Sequence, residues 1–200
     1  MKLIAVSQRV DTSNQVGERR DAIDKRWWNF FLQVTGILPL ILPNNIELAR
    51  PLLLNYPVDG FLLTGGNSLA ALGGDAPERD LIDNLCIGQA INQRIPLLGV
   101  CRGMQSIQSY FGQTFTPLEG HVSPRQQICR QGKIAWVNSY HQWGCMASVP
   151  ELQVTAQSCD GVVKAIAHSE YSLTGIMWHP EREQSATPWD LTFFRQAYNL

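Results

Sequence analysis

The chain has 200 residues, enough for one well-buried domain and too few for two of ordinary size, so residues 1–200 are read as a single domain. Sixteen lysines and arginines stand against seventeen aspartates and glutamates, a net charge of -1 with no long basic run, which sets aside nucleic acid and anionic membranes as partners. Five scattered cysteines, Cys86, Cys101, Cys129, Cys145 and Cys159, include no C-x-x-C pair, which argues against a disulfide framework and a zinc site and fits a reducing cytoplasm.

The N-terminal "MKLIAVSQRVD" has too short an apolar run for a signal-peptide core or a membrane span and reads as a first strand. After a polar loop, "RRDAIDKRWWNFFLQVTG" predicts a helix with Ile23, Trp27, Phe30, Phe31 and Val34 at helical spacing, ended by Gly36. "ILPLIL" and "DGFLLTGG" predict strands. "APERDLIDNLCIGQAINQR" predicts a second helix, with Pro77 in its first turn and acidic residues near its start. The strand "IPLLGV" and the helix "RGMQSIQSYFG" follow. Continuous apolar strands alternating with helices predict an α/β fold with a mainly parallel sheet covered on both faces.

Beyond residue 120 the pattern becomes hairpin-like. "KIAWVNSYHQW", "LQVTAQS", "VVKAIAHS" and "SLTGIMWH" read as strands, the middle pair joined around Asp160 and Gly161, and a last helix starts at Thr187 and Pro188. No repeat, low-complexity tract or linker interrupts this order.

The stretch "GVCRG", Gly99 to Gly103, sets a cysteine between glycines where a strand runs into a helix. A nucleophile at such a turn is pushed out at the carboxyl end of the sheet, and small neighbours relieve the crowded backbone, as in the serine elbow G-x-S-x-G. The positive end of the following helix favours a thiolate, and the free N–H of Arg102 is a candidate oxyanion donor. Gly65 and Gly66 in "LLTGGN" suit a second donor at another strand end. The other cysteines read as ordinary small residues.

A cysteine nucleophile needs a base, and that base needs orienting. His179 in "GIMWHPERE" follows an apolar strand, and Pro180 biases it toward extended backbone. In extended backbone residues i and i+2 share a side, which brings Glu181 to His179. No H-E-x-x-H or clustered Cys/His set implies a metal, and no Walker motif is present, so neither metal nor cofactor is expected.

Together, "LLTGGN", "PERD", "PLLGVCRGMQ", "EGHV", "NSYHQ" and "MWHPERE", in this order, resemble the class I glutamine amidotransferase-like hydrolases, and within them the γ-glutamyl-γ-aminobutyrate hydrolase branch. The resemblance implies a three-layer α/β/α domain of flavodoxin-like type. It implies Cys101 as nucleophile, His179 as base, Glu181 as orienting carboxylate, and oxyanion N–H groups from Gly66 and Arg102. It implies further that Gln105 lines a glutamyl pocket and that Ser139, Tyr140 and His141 border the substrate, with Gly65 and Asn67 in the oxyanion segment. Many relatives read Gly-Gly-Asn-Asp there, whereas Ser68 follows Asn67 in this chain. The N-terminal "SQRVDTSNQVGERRDAIDKRWWNFF" is similar to small relatives that hydrolyse γ-glutamyl-CDP-amidate in capsule synthesis. Under that resemblance Arg9, Arg19, Arg20 and Trp28 meet phosphates or a base; otherwise they form a solvated helix face with a packed tryptophan. The implied activity is hydrolysis of a small γ-glutamyl amide, with glutamate released from a thioester. A homodimer is compatible with this reading. The rivals are a glutaminase subunit with a synthase partner and a non-catalytic binding module.

Overall fold

The computed structural model describes residues 1–12 and 17–200; the Ser13–Val16 part of the N-terminal resemblance lies outside the described residues. In chain order the strands are β1 (Lys2–Val6), β2 (Arg9–Asp11), β3 (Arg20–Ala22), β4 (Ile37–Ile41), β5 (Gly60–Leu63), β6 (Leu97–Val100), β7 (Thr116–Pro117), β8 (Val122–Arg130), β9 (Lys133–Tyr140), β10 (Trp143–Gly144), β11 (Leu152–Ser158), β12 (Val163–His168) and β13 (Leu173–Ile176). The α-helices are α1 (Arg26–Val34), α2 (Ile46–Asn55), α3 (Pro77–Gln93), α4 (Arg102–Tyr110) and α5 (Pro188–Ala197).

Nine strands form one sheet in the order β4-β1-β5-β6-β13-β12-β11-β8-β9. The first five are parallel, and from β13 onward each pair is antiparallel. The parallel part is covered on both faces, and the strand residues sort with period two. Ile4, Val6, Leu62, Leu98 and Val100 pack under α1 and α5 with Trp27, Phe30 and Phe194, while Ala5, Phe61, Leu63 and Leu97 pack on the other face with Leu53, Ile82, Ile87, Met104 and Ile107 of α2, α3 and α4. This is the α/β layered architecture expected from the alternation of elements.

One local expectation changes, and two elements, α2 and β8, are additions to the predicted order. The first helix begins at Arg26, not at Arg19, because Arg20–Ala22 pairs antiparallel with Arg9–Asp11 and the Asp24 carboxylate accepts the Arg26 N–H at 3.0 Å. α2 had no sequence signal strong enough to offset Pro51 inside it; Asn45 caps it, accepting the N–H groups of Glu47 and Leu48 at 3.0 and 3.3 Å. β8, which carries Pro124 and a polar face, is the hairpin partner of β9 and was not distinguishable from loop. α5 begins as expected, with Pro188 in its first turn and the Thr187 hydroxyl accepting the Asp190 N–H at 3.1 Å. Among the described residues, no helix is long and apolar enough to cross a membrane.

Candidate active site

Cys101 is the single residue between β6 and α4, at φ 53° and ψ -106°. A side chain at positive φ of this kind costs about 1–3 kcal/mol and persists only where its surroundings impose it. Here the Cys101 N–H donates to the Ile176 carbonyl at 2.7 Å on β13, and its carbonyl accepts from Gln105 N–H at 3.1 Å. Both flanking glycines are required by close approach: a Cβ on Gly99 would lie 2.5 Å from the Gly103 carbonyl carbon, and one on Gly103 would lie 2.2 Å from the Leu63 oxygen of β5. The tight helix-on-strand packing therefore fixes the turn that aims the thiol.

His179 lies just past β13, next to the elbow because β13 is the parallel neighbour of β6. Its Nδ1 and Oε1 of Glu181 are 2.7 Å apart, and both side chains are buried. The pairing arises differently from the extended-strand expectation. His179 itself is non-helical, but Pro180–Arg182 form one turn of 3-10 helix, with Arg182 N–H donating to the His179 carbonyl at 3.1 Å. Pro180 pre-sets the first position of that turn, which folds Glu181 back under the ring. Gly65 gives the imidazole its space: a Cβ there would lie 2.5 Å from His179 Cε1.

The charges reinforce the geometry. Burial works against a Cys101 thiolate, but the adjacent His179, through its charge and a hydrogen bond, outweighs it and holds the thiol below its ordinary pKa. Burial likewise opposes an imidazolium, yet Cys101 and then Glu181 raise His179 to about 9. A thiolate–imidazolium pair is the state these directions describe. Nearby, the buried Arg102 guanidinium bonds to Asp80 and Asp83, and Ser106 Oγ donates to Asp83 Oδ2 at 2.7 Å, tying the first turn of α4 to α3.

The remaining predicted residues divide. Arg9, Gly65 and Gly66 line a recess beside His179, Glu181 and Arg182. Gly66 has φ 128°. Tyr140 lies at the His179 ring, centroids 6.0 Å apart, with the Arg182 guanidinium 5.0 Å from the tyrosine ring on its own account. Gln105 is buried in the first turn of α4, its Nε2 donating to the Trp143 carbonyl at 3.0 Å. Ser139 and His141 are buried in a polar cluster with His121 and Lys164. The Asn67 side chain is committed to the protein, accepting from Val10 N–H at 2.9 Å and donating to Val10 O at 2.8 Å and to Asp75 at 3.2 Å. Arg9 pairs with Asp11 at 2.6 Å, Arg19 bonds Glu78, and Arg20 bonds Glu18 at 2.7 Å. Trp28 is half-buried against Phe31, ring centroids 6.1 Å apart.

Two residues near the site carried no separate sequence signal. Asn138 is the first letter of "NSYH": its Oδ1 accepts the His179 N–H and its Nδ2 donates to the His179 carbonyl, both at 2.8 Å. Arg79 in "PERD" is fully buried, donating to the Thr64 carbonyl at 2.6 Å and to its hydroxyl at 3.1 Å, and its Nη1 fills the space where a Gly66 side chain would go. Burial, then the charge of Arg102, push Arg79 down to about 9, which still leaves it charged at neutral pH. A hollow of about 440 Å³ between the β8–β9 hairpin and α5 includes none of Cys101, His179 or Glu181. Among the described residues, no group of three or more His, Cys, Asp or Glu is arranged to hold a metal ion.

A thiol at a strained strand-to-helix turn, beside a carboxylate-paired imidazole at the carboxyl end of parallel strands, defines a site of the nucleophile-elbow class on an α/β sheet. Within that class, the sequence model for glutamine amidotransferase class I matches residues 38–198, and the chain belongs to that family. It is 28% identical to the γ-glutamyl-CDP-amidate hydrolase of Campylobacter jejuni, covering 90% of each chain. It is also 28% identical to the γ-glutamyl-γ-aminobutyrate hydrolase of Escherichia coli O157:H7, over 84% of this chain and 82% of that one. The fold is similar to the acivicin-bound glutaminase domain of Trypanosoma brucei CTPS, with a TM-score of 0.72 at 14% identity, covering 100% of this chain and 94% of that one.

Proposed function

We propose that this protein is a cysteine-dependent hydrolase of small γ-glutamyl amides, with Cys101, His179 and Glu181 as its triad. The observation that carries the reading is the buried Cys101–His179–Glu181 arrangement, in which a depressed thiol faces a raised imidazole. In the first half-reaction the Cys101 thiolate attacks the γ-carbonyl carbon, and the backbone N–H groups of Gly66 and Arg102 receive the developing oxyanion. The C–N bond then breaks, and the His179 imidazolium gives its proton to the departing amine. In the second, water loses a proton to His179 as its oxygen attacks the γ-glutamyl thioester. Collapse breaks the C–S bond, releasing glutamate and returning the thiolate–imidazolium pair. Glu181 keeps the imidazole proton on Nδ1 and the ring in line throughout. No cofactor enters these steps.

In this reading Gly65, Asn67, Gln105, Ser139, Tyr140 and His141 border the glutamyl half of the substrate, and the amine half is assigned to Arg9, which lines the recess beside His179, and to Trp28, which does not line it. The names of the two relatives support two conjugates: γ-glutamyl-CDP-amidate and γ-glutamyl-γ-aminobutyrate. A glutaminase passing ammonia to a synthase would use the same chemistry. The hydrolase is preferred because the chain is 28% identical to each of the two named hydrolases and 14% identical to the glutaminase domain.

The test is glutamate release from a matched panel of glutamine and the two conjugates, with Cys101→Ala as control. We expect preference for a conjugate and no turnover by Cys101→Ala, while His179→Ala retains at most a trace, since general acid–base help is worth about 10²–10⁴-fold. Turnover of glutamine alone, rising when a synthase is added, would move the protein to the glutaminase reading.

A further inference from the structure

Arg79 on α3 carries a guanidinium at 0% exposure, and the reaction above gives it no part. All its hydrogen bonds come from Nη2, which donates to the Thr64 carbonyl at 2.6 Å and to the Thr64 hydroxyl at 3.1 Å. Nε and Nη1 are buried with no hydrogen-bond partner among the described residues. Both acceptors are neutral. Asp83, the acid one turn further along the same face of α3, is taken by Arg102 and Ser106. Burying a cation that bonds only neutral oxygens is costly, and an apolar side chain of similar length would spare the fold that cost. Packing alone does not account for the charge.

Its bonds lead to the strand end beside the nucleophile. β5 and β6 run parallel with Leu63 level with Gly99, and two residues further along each chain come Gly65 and Cys101. Gly65 packs on the His179 ring, and Gly66 lines the recess beside that ring. Two successive glycines hold no conformation by themselves, and Gly66 at φ 128° lies where other residues rarely go. The segment is therefore held by its neighbours. Ser7 Oγ accepts the Thr64 N–H at 3.1 Å, and the Ser7 carbonyl accepts the Thr64 hydroxyl at 2.9 Å, while Arg79 donates to the Thr64 carbonyl. Arg79 Nη1 then lies 2.6 Å from where a Gly66 Cβ would be. One guanidinium thus grips the peptide before the glycines and backs the second of them.

We propose that Arg79 is a positioning residue of the oxyanion site: it fixes the Thr64–Gly66 strand end so that the Gly66 N–H meets the developing oxyanion, and it sets an unneutralised positive charge behind that donor. This rests on Gly66 serving as an oxyanion donor in the reading above. A fixed charge in a site closed to water acts most strongly when the carbonyl oxygen of the substrate turns negative, which gives the buried cation its use.

The test compares two reagents at Cys101. p-Nitrophenyl acetate reacts through a tetrahedral oxyanion; its ester C–O bond breaks, p-nitrophenolate leaves and the acetyl group stays on sulfur as a thioester. Iodoacetamide loses iodide from a saturated carbon and forms no oxyanion. Both consume the same thiolate, so at one pH the ratio of acylation to alkylation, read by mass spectrometry of the Cys101 adducts, isolates the oxyanion site. Arg79→Met keeps the length and removes the charge and the donors. It should lower that ratio by about tenfold, a part of the ~10²–10³-fold carried by a single oxyanion donor. Arg79→Lys, which can keep the charge and a bond to the Thr64 carbonyl, should recover part of the loss. Arg79→Gln serves if Arg79→Met is insoluble. An unchanged ratio in Arg79→Met, an equal fall of both rates, or no recovery in Arg79→Lys would each overturn the proposal. Neither reagent carries a glutamyl group, so the two readings separate. Wild-type glutamate release from a γ-glutamyl amide, with the ratio unchanged in Arg79→Met, removes this proposal alone. A lowered ratio in a protein that hydrolyses none of the panel supports it and removes the hydrolase reading.

Discussion

The Asn138 carboxamide grips both backbone groups of His179, accepting its N–H and donating to its carbonyl, each at 2.8 Å across 41 positions of sequence. Its Nδ2 also donates to Glu183 Oε1 at 2.6 Å, so one side chain on β9 pins the start and the end of the 3-10 turn that carries Glu181. The orientation of the imidazole is thereby set from the antiparallel half of the sheet, while the thiol is set from the parallel half.

Asn138→Ala removes both bonds and leaves two buried backbone groups unpaired. At about 1–3 kcal/mol for each unsatisfied group, a stability loss of roughly 2–6 kcal/mol is expected. The release of His179 should lower kcat by about tenfold or more, with KM less affected. Thermal melting and steady-state glutamate release check this; wild-type kcat in a folded Asn138→Ala protein would show that the clamp does not hold the base.

The thiol and the imidazole titrate in opposite senses. Cys101 is depressed, so the stability it contributes is present above the ordinary thiol range and is lost as pH falls through its folded pKa. His179 is raised to about 9, so its contribution is fully present below the ordinary imidazole value of ~6.5 and is lost as pH rises through about 9. The ion pair therefore occupies the window between the depressed thiol value and about 9. Alkylation of Cys101 should fall less steeply between about pH 8.5 and 7 than that of a free small-molecule thiol. Site-resolved mass spectrometry follows the Cys101 adduct beside that small-molecule control, and an ordinary thiol profile at Cys101 would remove the ion pair.

Gly103→Ala would put a methyl carbon 2.2 Å from the Leu63 carbonyl oxygen, a backbone atom with little room to yield. Overpacking of a core typically costs about 1–3 kcal/mol, and α4 must move off β5 to relieve it, carrying Cys101 along. A lower urea midpoint together with loss of turnover is the expected result. A variant with unchanged midpoint and activity would mean that the elbow is set by something other than this contact.

Asp83 is completely buried against Arg102 and Ser106. Asp83→Asn leaves the guanidinium with only the part-exposed Asp80 and is expected to cost about 3–5 kcal/mol. The double replacement Arg102→Met with Asp83→Leu should recover most of that stability, since a well-packed apolar pair often matches a buried ion pair. Denaturant midpoints of the single and double variants decide it; Asp83→Asn as stable as wild type would count against any structural role for the pair.

Much of the fold was legible because it is written in local periodicity. The continuous apolar strands "LIAVS", "GFLL" and "LLGV", buried on both sides, together with the helical spacing of Trp27, Phe30, Phe31 and Val34, specify a covered parallel sheet. α2 and β8 were hidden because Pro51 and Pro124 speak locally against the elements that contain them, and only neighbouring elements outweigh that. Arg20–Ala22 took strand geometry for the same reason, through pairing with Arg9–Asp11.

The sequence by itself determined the elbow. Gly99, Cys101 and Gly103 are within five residues of one another, and a side chain at positive φ between a strand and a helix needs small neighbours wherever it occurs. His179 and Glu181 were also legible as a pair, although the turn that joins them was not. Only the tertiary structure decided that Asn138 holds His179, that Arg79 backs Gly66, and that Lys164 meets His121, Ser139 and His141. Backbone conformation is governed by the residues beside it in the chain, whereas the partner of a buried polar group is chosen by the register of strands and helices that meet only when the sheet is assembled.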